Sequence, residues 1–315
     1  MATALGGSLR AGWAGATPAP VPPHNAAMHT LTPAHLMPWT VASPFRMRPG
    51  LSRLAHPAAP TAAPPPPLFL RDAQAPAYAA HKQAVLHAHR ERAWLGHTEP
   101  AVLQAIATAY AAQTGVALAP TAEALTLGLQ EDLVVLHDEP DAMRTRWLSV
   151  CFPSNWSPAD KLGLDFAAIH APVADNALLQ AGGKGIVDMA FRQASMLRHV
   201  WLLTPSGDLA QHPETRRTRW EDAVAQADAT GQCLLDQVFF RVERQTTLPL
   251  PALQRGVFFI RVMVCPLRAA LQVAPARAGE LHAALASMSD AVVAYRGMAG
   301  VRPRLLAELA ALSGP

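Results

Sequence analysis

Cysteine is scarce in this chain of 315 residues: Cys151, Cys233 and Cys265 stand far apart, each in an apolar context. No CxxC pair and no Cys/His zinc spacing is present, so we expect buried, reduced thiols rather than disulfides or a zinc site. Three separated thiols also cannot supply the four ligands of an ordinary iron–sulfur cluster. We therefore expect no iron–sulfur centre on this chain.

Long apolar runs and strong charge are also missing. No apolar run reaches the ~18 residues that cross a membrane, and the proline-rich start lacks the compact apolar segment of a signal peptide. Charged residues make up 16% of the chain and the formal net charge is +3, so no strong field favours nucleic acid or a membrane surface. We expect a soluble cytoplasmic protein that binds neither.

Nucleotide-binding motifs are missing as well. The chain contains no GxGxxG dinucleotide fingerprint. The lysine of GGKG at Gly182–Gly185 is followed by glycine, whereas a phosphate loop requires serine or threonine at that place. We therefore expect no nicotinamide or flavin dinucleotide site on this chain.

The chain does contain enough apolar material for a sizeable core, with 50% hydrophobic residues. Residues 1–40 are rich in Ala and Pro without periodicity, which predicts a disordered tail. Helical periodicity predicts a helical part over about 70–130 and C-terminal helices over about 278–312, including one continuous helix from Ala278 to Arg296. Short β-rich runs predict a sheet over about 131–270. We expect an α+β fold, with an antiparallel sheet flanked by helices in a single domain over 41–312.

Two predicted strands of this sheet carry charges among apolar residues. The runs Phe239–Leu248 and Val257–Cys265 are predicted as an antiparallel pair. Their charged residues include Arg241, Glu243, Arg244 and Arg261. Alternation places Arg241 and Glu243 on one face and Arg244 on the other. Buried charges need partners, and two interpretations remain open: a bound anion, or internal pairing of Glu243 with an arginine.

The stretch Val150–Val173 combines a turn, a short apolar segment and a histidine. Asp160–Ile169 is predicted as a short helix, with Phe166 and Ile169 at helical spacing. His170 ends it, where a flat apolar ligand could be met. A lone histidine is more often a hydrogen-bonded structural residue than a ligand. His212, which precedes a proline after a strand, is an alternative ligand.

Four sequence blocks in order resemble the haem-dependent oxidative N-demethylase family, formerly a domain of unknown function. They are PFRMRPGL at Pro44–Leu51, QEDLVVL at Gln130–Leu136, the stretch Val150–Val173, and RVERQTTLPLP at Arg241–Pro251 followed by FFIRVMVCPL at Phe258–Leu267. The resemblance covers roughly residues 40–310. It implies a haem-bearing PAS-like domain, onto which the arm PFRMRPGL packs rather than forming a solvated loop.

The resemblance also implies a reaction. Family members are monooxygenase-type oxidoreductases that demethylate a small secondary amine with O₂, giving an aldehyde and a primary amine. Flavin and iron–sulfur centres lie on a partner reductase. Haem b would be held without a covalent bond, because the chain has no CxxCH attachment motif. Two other functions remain open: a haem-binding PAS-type sensor without turnover, and an interaction domain without a cofactor.

On this resemblance His170 is the expected axial ligand of the haem iron, with His212 as the alternative. Phe166 and Ile169 would form an apolar wall for the porphyrin. The expected partners of the haem propionates are Arg241, Arg244 and Arg261. Glu243 would hold the protonated amine, which needs a counter-charge when it is buried.

Overall fold

A computed structural model describes residues 30–54 and 66–313 of the chain. Its strands are β1 (Ser52–Arg53), β2 (Trp94–Gly96), β3 (Asp132–Asp138), β4 (Met143–Ser149), β5 (Met196–Thr204), β6 (Phe239–Leu250) and β7 (Arg255–Pro266). Its α-helices are α1 (Ala75–Ala93), α2 (Pro100–Thr114), α3 (Ala122–Gly128), α4 (Phe166–His170), α5 (Ala177–Val187), α6 (Trp220–Thr230), α7 (Leu267–Gln272), α8 (Arg277–Ala286), α9 (Asp290–Tyr295) and α10 (Arg302–Ser313). The fold is α+β, as the sequence predicts.

The described strands form one open antiparallel sheet in the order β1-β5-β6-β7-β3-β4-β2. At its centre β6 and β7 pair along their whole length, from Phe239 opposite Pro266 to Leu250 opposite Arg255, which confirms the predicted pair. Both are rich in β-branched and aromatic residues, which favour strands. The short edge strands β1 and β2 fall outside the predicted range of 131–270. The PAS-like topology stays a prediction.

Helices cover one face of the sheet in two groups. In one group α2 and α3 pack on the side chains of Leu133, Trp147 and Phe259. In the other, the C-terminal helices pack on Trp201, Phe240 and further residues of β5, β6 and β7. Both groups are apolar and buried, so this face is the main core of the protein.

The opposite face is covered by α4, α5 and a π-helix at Asp188–Gln193. The π-helix comes close to β7 at Gly256, where an added Cβ atom would stand 2.9 Å from the Cβ of Phe191. Glycine is therefore required there for a close approach. This cover is incomplete, and a cavity lies between these helices and the sheet.

After Ile260, β7 no longer pairs with β3. This part of its edge is covered by α1 and by the first described residues. The Tyr78 hydroxyl donates to the carbonyl of Val262 at 2.6 Å, and the Thr32 amide donates to the carbonyl of Val264 at 2.8 Å. Most of the predicted tail over residues 1–40 lies outside the described residues. Its described part packs on the core, with Met37 only 3% exposed.

The helix predicted over Asp160–Ile169 is two separate elements, a 3₁₀ helix at Pro158–Lys161 and α4. Gly163 lies between them with φ +79°, a backbone conformation that favours glycine and ends a right-handed helix. The Asp165 side chain then accepts a hydrogen bond from the Ala168 amide at 2.9 Å and starts α4. Turn and cap residues here override the apolar periodicity.

The continuous helix predicted over Ala278–Arg296 is also divided, into α8 and α9. The Ser287 hydroxyl donates to the Ala284 carbonyl at 2.9 Å, and the Ser289 hydroxyl accepts from the Val292 amide at 3.2 Å. Serine competes with the backbone for helical hydrogen bonds. The break follows from these two serines.

The three cysteines are free, but they do not share one environment. Cys151 and Cys265 are buried as predicted, and burial raises the pKa of each thiol to about 12. Cys233 is exposed instead, because it follows the C-terminal end of α6 at the surface. Among the described residues, no helix has the length and apolarity needed to cross a membrane.

Candidate functional site

A cavity of about 390 Å³ lies between the sheet and the cover of α4, α5 and the π-helix. This volume falls within the roughly 300–1,000 Å³ of ligand sites in proteins. Most of its wall is apolar, including Val134, Leu148, Phe166, Ile169, Phe191, Val200, Phe258 and Ile260. Its charged lining residues are Lys161, Arg198, Glu243 and Arg296, and His170 also lines it. Four predicted site residues therefore line the same cavity: Phe166, Ile169 and His170 from α4, and Glu243 from the sheet.

His170 closes α4 and is oriented by its own helix. Its Nδ1 bonds to the Phe166 carbonyl at 2.8 Å, so Nδ1 donates and Nε2 carries the lone pair. Burial is the main cause that lowers the pKa of His170, and the nearby Arg198 and Lys161 lower it further. Nε2 makes no hydrogen bond with any described residue. A neutral imidazole with a fixed tautomer and a free nitrogen is suited to metal ligation.

Glu243 projects from β6, and both of its carboxylate oxygens accept hydrogen bonds. The Ser154 hydroxyl donates to Oε1, and the Gln245 amide donates to Oε2 at 2.8 Å. Behind Ser154, the guanidinium of Arg241 donates to the Ser154 hydroxyl at 2.8 Å. The carboxylate is therefore held in one orientation in the cavity wall.

Ser154 reaches Glu243 because the loop after β4 is fixed at several points. The Phe152 amide donates to Asp132 Oδ2 at 2.7 Å. Asn155, with φ 64°, donates its amide to the Gln211 carbonyl at 2.9 Å. The sequence predicts a turn in this segment, but turn-forming residues do not indicate which distant side chain Ser154 contacts.

The three arginines predicted to hold an anion have protein partners elsewhere. Arg241 is fully buried and donates to backbone carbonyls of Phe152, Pro153, Asp208 and Leu209. Arg244 donates to the carbonyls of Pro67 and Leu68. Arg261 pairs with Asp72 at 2.9 Å and stacks over Tyr78 at 3.8 Å. None of the three lines the cavity.

Internal pairing of Glu243 with an arginine, one of the two interpretations left open by the sequence, is met only indirectly, through Ser154 to Arg241. His212 also lies away from the cavity. Its Nδ1 accepts a hydrogen bond from the Glu214 amide at 3.2 Å, and it borders a small separate cleft beside Cys151. The geometry therefore separates the two candidate histidines, with His170 in the main cavity.

A family model of haem-dependent oxidative N-demethylase, alpha subunit-like proteins matches residues 107–306. The chain belongs to this family. None of the curated proteins compared with the chain matches it. The matched range includes His170, Glu243 and most of the cavity wall. The family description indicates an oxidoreductase that depends on haem and works as one subunit beside a partner.

The cavity of this family member fits a porphyrin better than a bare metal ion. Among the described residues, no group of three His, Cys, Asp or Glu side chains could hold an ion alone. A haem needs fewer protein ligands, because the porphyrin supplies four nitrogens and the protein adds one or two axial groups. The free Nε2 of His170 and the surrounding apolar wall meet this need.

Two charged lining residues were not predicted from the sequence. Arg198 and Arg296 line the cavity, although only alternation along β5 could have indicated Arg198.

The arm PFRMRPGL packs on the domain, with Met47, Pro49 and Leu51 in the cavity wall and its arginines exposed. This alternation was visible in the sequence.

Proposed function

We propose that this protein catalyses haem-dependent oxidative N-demethylation of a small secondary amine, using O₂ and electrons from a partner reductase. In this proposal residues 41–312 form a single domain that binds haem b without a covalent bond. One observation carries it: His170 presents a free Nε2 in an apolar cavity whose wall also contains an oriented carboxylate. Such a cavity suits both a porphyrin and an amine.

His170 is the proposed axial ligand of the haem iron. The Phe166 carbonyl fixes its tautomer, and the Phe166 ring lies against the imidazole with centroids 4.0 Å apart. Phe166 and Ile169 then present apolar surface to the porphyrin. Bound haem supplies the chemistry of O₂ activation, and the surrounding apolar residues keep water away from it.

Glu243 is the proposed binding residue for the amine. A secondary amine is protonated near neutral pH, so its transfer into an apolar cavity requires an opposite charge. Ser154 and Gln245 hold the carboxylate from both sides, which leaves its remaining lone pairs for an ammonium group. The apolar neighbours accept the methyl groups of a small N-methyl amine.

The ligand assignment is tested by adding haemin to the purified protein and recording the absorption spectrum. We expect a Soret band that shifts strongly or disappears in His170→Ala. The matched control is His212→Ala, which removes a histidine outside the cavity and should leave the spectrum unchanged. A normal spectrum in the first variant and a lost band in the second would transfer the ligand role to His212.

The amine role is tested by formaldehyde release with an N-methyl amine and a competent reductase. Glu243→Gln keeps a side chain of similar size but removes the charge, so haem should stay bound while turnover is lost. Unchanged turnover in this variant refutes the role of Glu243. A protein that binds haem but releases no aldehyde with any such amine and reductase is a sensor instead.

A further inference from the structure

Two partly buried guanidinium groups in the cavity wall have no acidic or carbonyl partner among the described residues. Arg198 and Arg296 both line the cavity. Neither guanidinium makes a hydrogen bond or an ion pair with another described residue, unlike those of Arg241, Arg244 and Arg261 on strands β6 and β7. A guanidinium offers five donors, and leaving them unpaired in an apolar cavity is costly.

Arg198 lies on β5 directly opposite Gln245 of β6. Two residues further along β5, Val200 lies opposite Glu243. Burial lowers its pKa, while the charge of Glu243 counteracts that effect. The two side chains nevertheless form no ion pair, and Glu243 instead accepts its hydrogen bonds from Ser154 and Gln245. The Arg198 donors are therefore free for a ligand.

Arg296 follows α9 and is held by aromatic rings rather than by acids. Its guanidinium carbon lies 4.6 Å from the centroid of Phe45 and 5.0 Å from that of Trp201. Its Nη1 is buried without a hydrogen-bond partner among the described residues. Stacking fixes the plane of a guanidinium while its edge stays available for a carboxylate.

We propose that Arg198 and Arg296 form an anion-binding pair for the two carboxylates of a dicarboxylate ligand in this cavity. Building on the proposed function, this ligand is haem and the carboxylates are its two propionates. The pair replaces the three arginines predicted from the sequence, none of which lines the cavity. Arg241 and Arg244 donate to backbone carbonyls, and Arg261 pairs with Asp72. Each propionate thereby receives a charge-assisted hydrogen bond from a preorganised guanidinium.

The test compares haemin with its dimethyl ester, whose propionates carry no charge. Both are titrated by Soret absorbance into the full chain and into Arg198→Leu and Arg296→Leu. Haemin affinity should fall about ten- to a hundredfold in each variant, as for loss of one hydrogen bond to a charged group. The ester should bind the original protein more weakly than haemin, and the two variants should bind it no worse than the original protein does.

The matched control is Arg48→Leu, which removes an exposed arginine from the arm beside the cavity and should leave haemin affinity unchanged. Thermal melting checks the fold, and Arg198→Gln and Arg296→Gln replace any leucine variant that does not fold. The anion-binding pair is refuted, with the proposed function intact, if haemin binds but the variants or the ester bind as tightly. Weakening in only one variant also overturns the pair. Failure of the original protein to bind either porphyrin overturns both proposals.

Discussion

Replacing Lys82 with methionine tests the buried charges that connect α1 to the sheet. Lys82 and Asp132 are both 0% exposed, with Nζ 3.3 Å from Oδ1. The ammonium also donates to the Glu131 carbonyl at 2.5 Å, and the other Asp132 oxygen accepts from the Phe152 amide. The methionine side chain fills a similar volume but leaves Asp132 buried without its cation.

The expected loss is about 3–5 kcal/mol in the free energy of unfolding at pH 7, as for breaking other buried ion pairs. That is a large part of the roughly 5–15 kcal/mol that stabilises a typical domain. The double variant Lys82→Met with Asp132→Asn should lose less than Lys82→Met alone. Asparagine removes the unpaired charge while its carbonyl oxygen still accepts from the Phe152 amide.

The loss should also depend on pH. Burial raises the pKa of Asp132, and Lys82 opposes that rise, so the variant has an even higher folded-state pKa. A carboxyl whose folded pKa exceeds its unfolded value, about 3.9, binds a proton more tightly when folded. Its favourable contribution is present below the unfolded pKa and is lost as pH rises through the folded pKa. Acidification from pH 7 should therefore reduce the difference in free energy of unfolding between the variant and the original protein.

Urea denaturation followed by circular dichroism at pH 7 and pH 5 measures both effects. The original protein at each pH is the reference, because Glu131 is also buried with a raised pKa and contributes its own pH dependence. A loss of unfolding free energy below about 1 kcal/mol at pH 7 would contradict the reasoning. So would a difference between variant and original protein that grows on acidification.

Two further predictions concern turnover. Ser154→Ala removes a donor to Glu243, so the KM for the amine should rise about tenfold while the haem spectrum stays unchanged. Ser154→Thr keeps the hydroxyl and should restore the original KM. An unchanged KM in the alanine variant excludes this positioning role. The chain alone, given NADPH and an amine, should release no aldehyde, and an added flavin and iron–sulfur reductase should start turnover. That rate should fall with added salt, because a chain of net charge +3 presents a weakly basic docking face; steady turnover without a reductase contradicts the prediction.

The sequence alone determined the central elements of the fold. Alternation and β-forming residues predicted β6 and β7 as an antiparallel pair. The ordered blocks predicted the family, and three of the four lie within the matched residues 107–306. These signals are local, since each depends on residues that are neighbours along the chain.

Only the tertiary structure decided which partner each charged residue meets. Alternation placed Arg241 and Glu243 on one face. It could not indicate that Ser154, 87 residues away from Arg241, joins the two side chains. Alternation likewise could not reveal that Arg261 meets Asp72 while Arg198 meets no described acid. These contacts depend on how loops and helices pack across the sheet. Local periodicity fixes the face on which a side chain lies, and long-range packing fixes what stands opposite it.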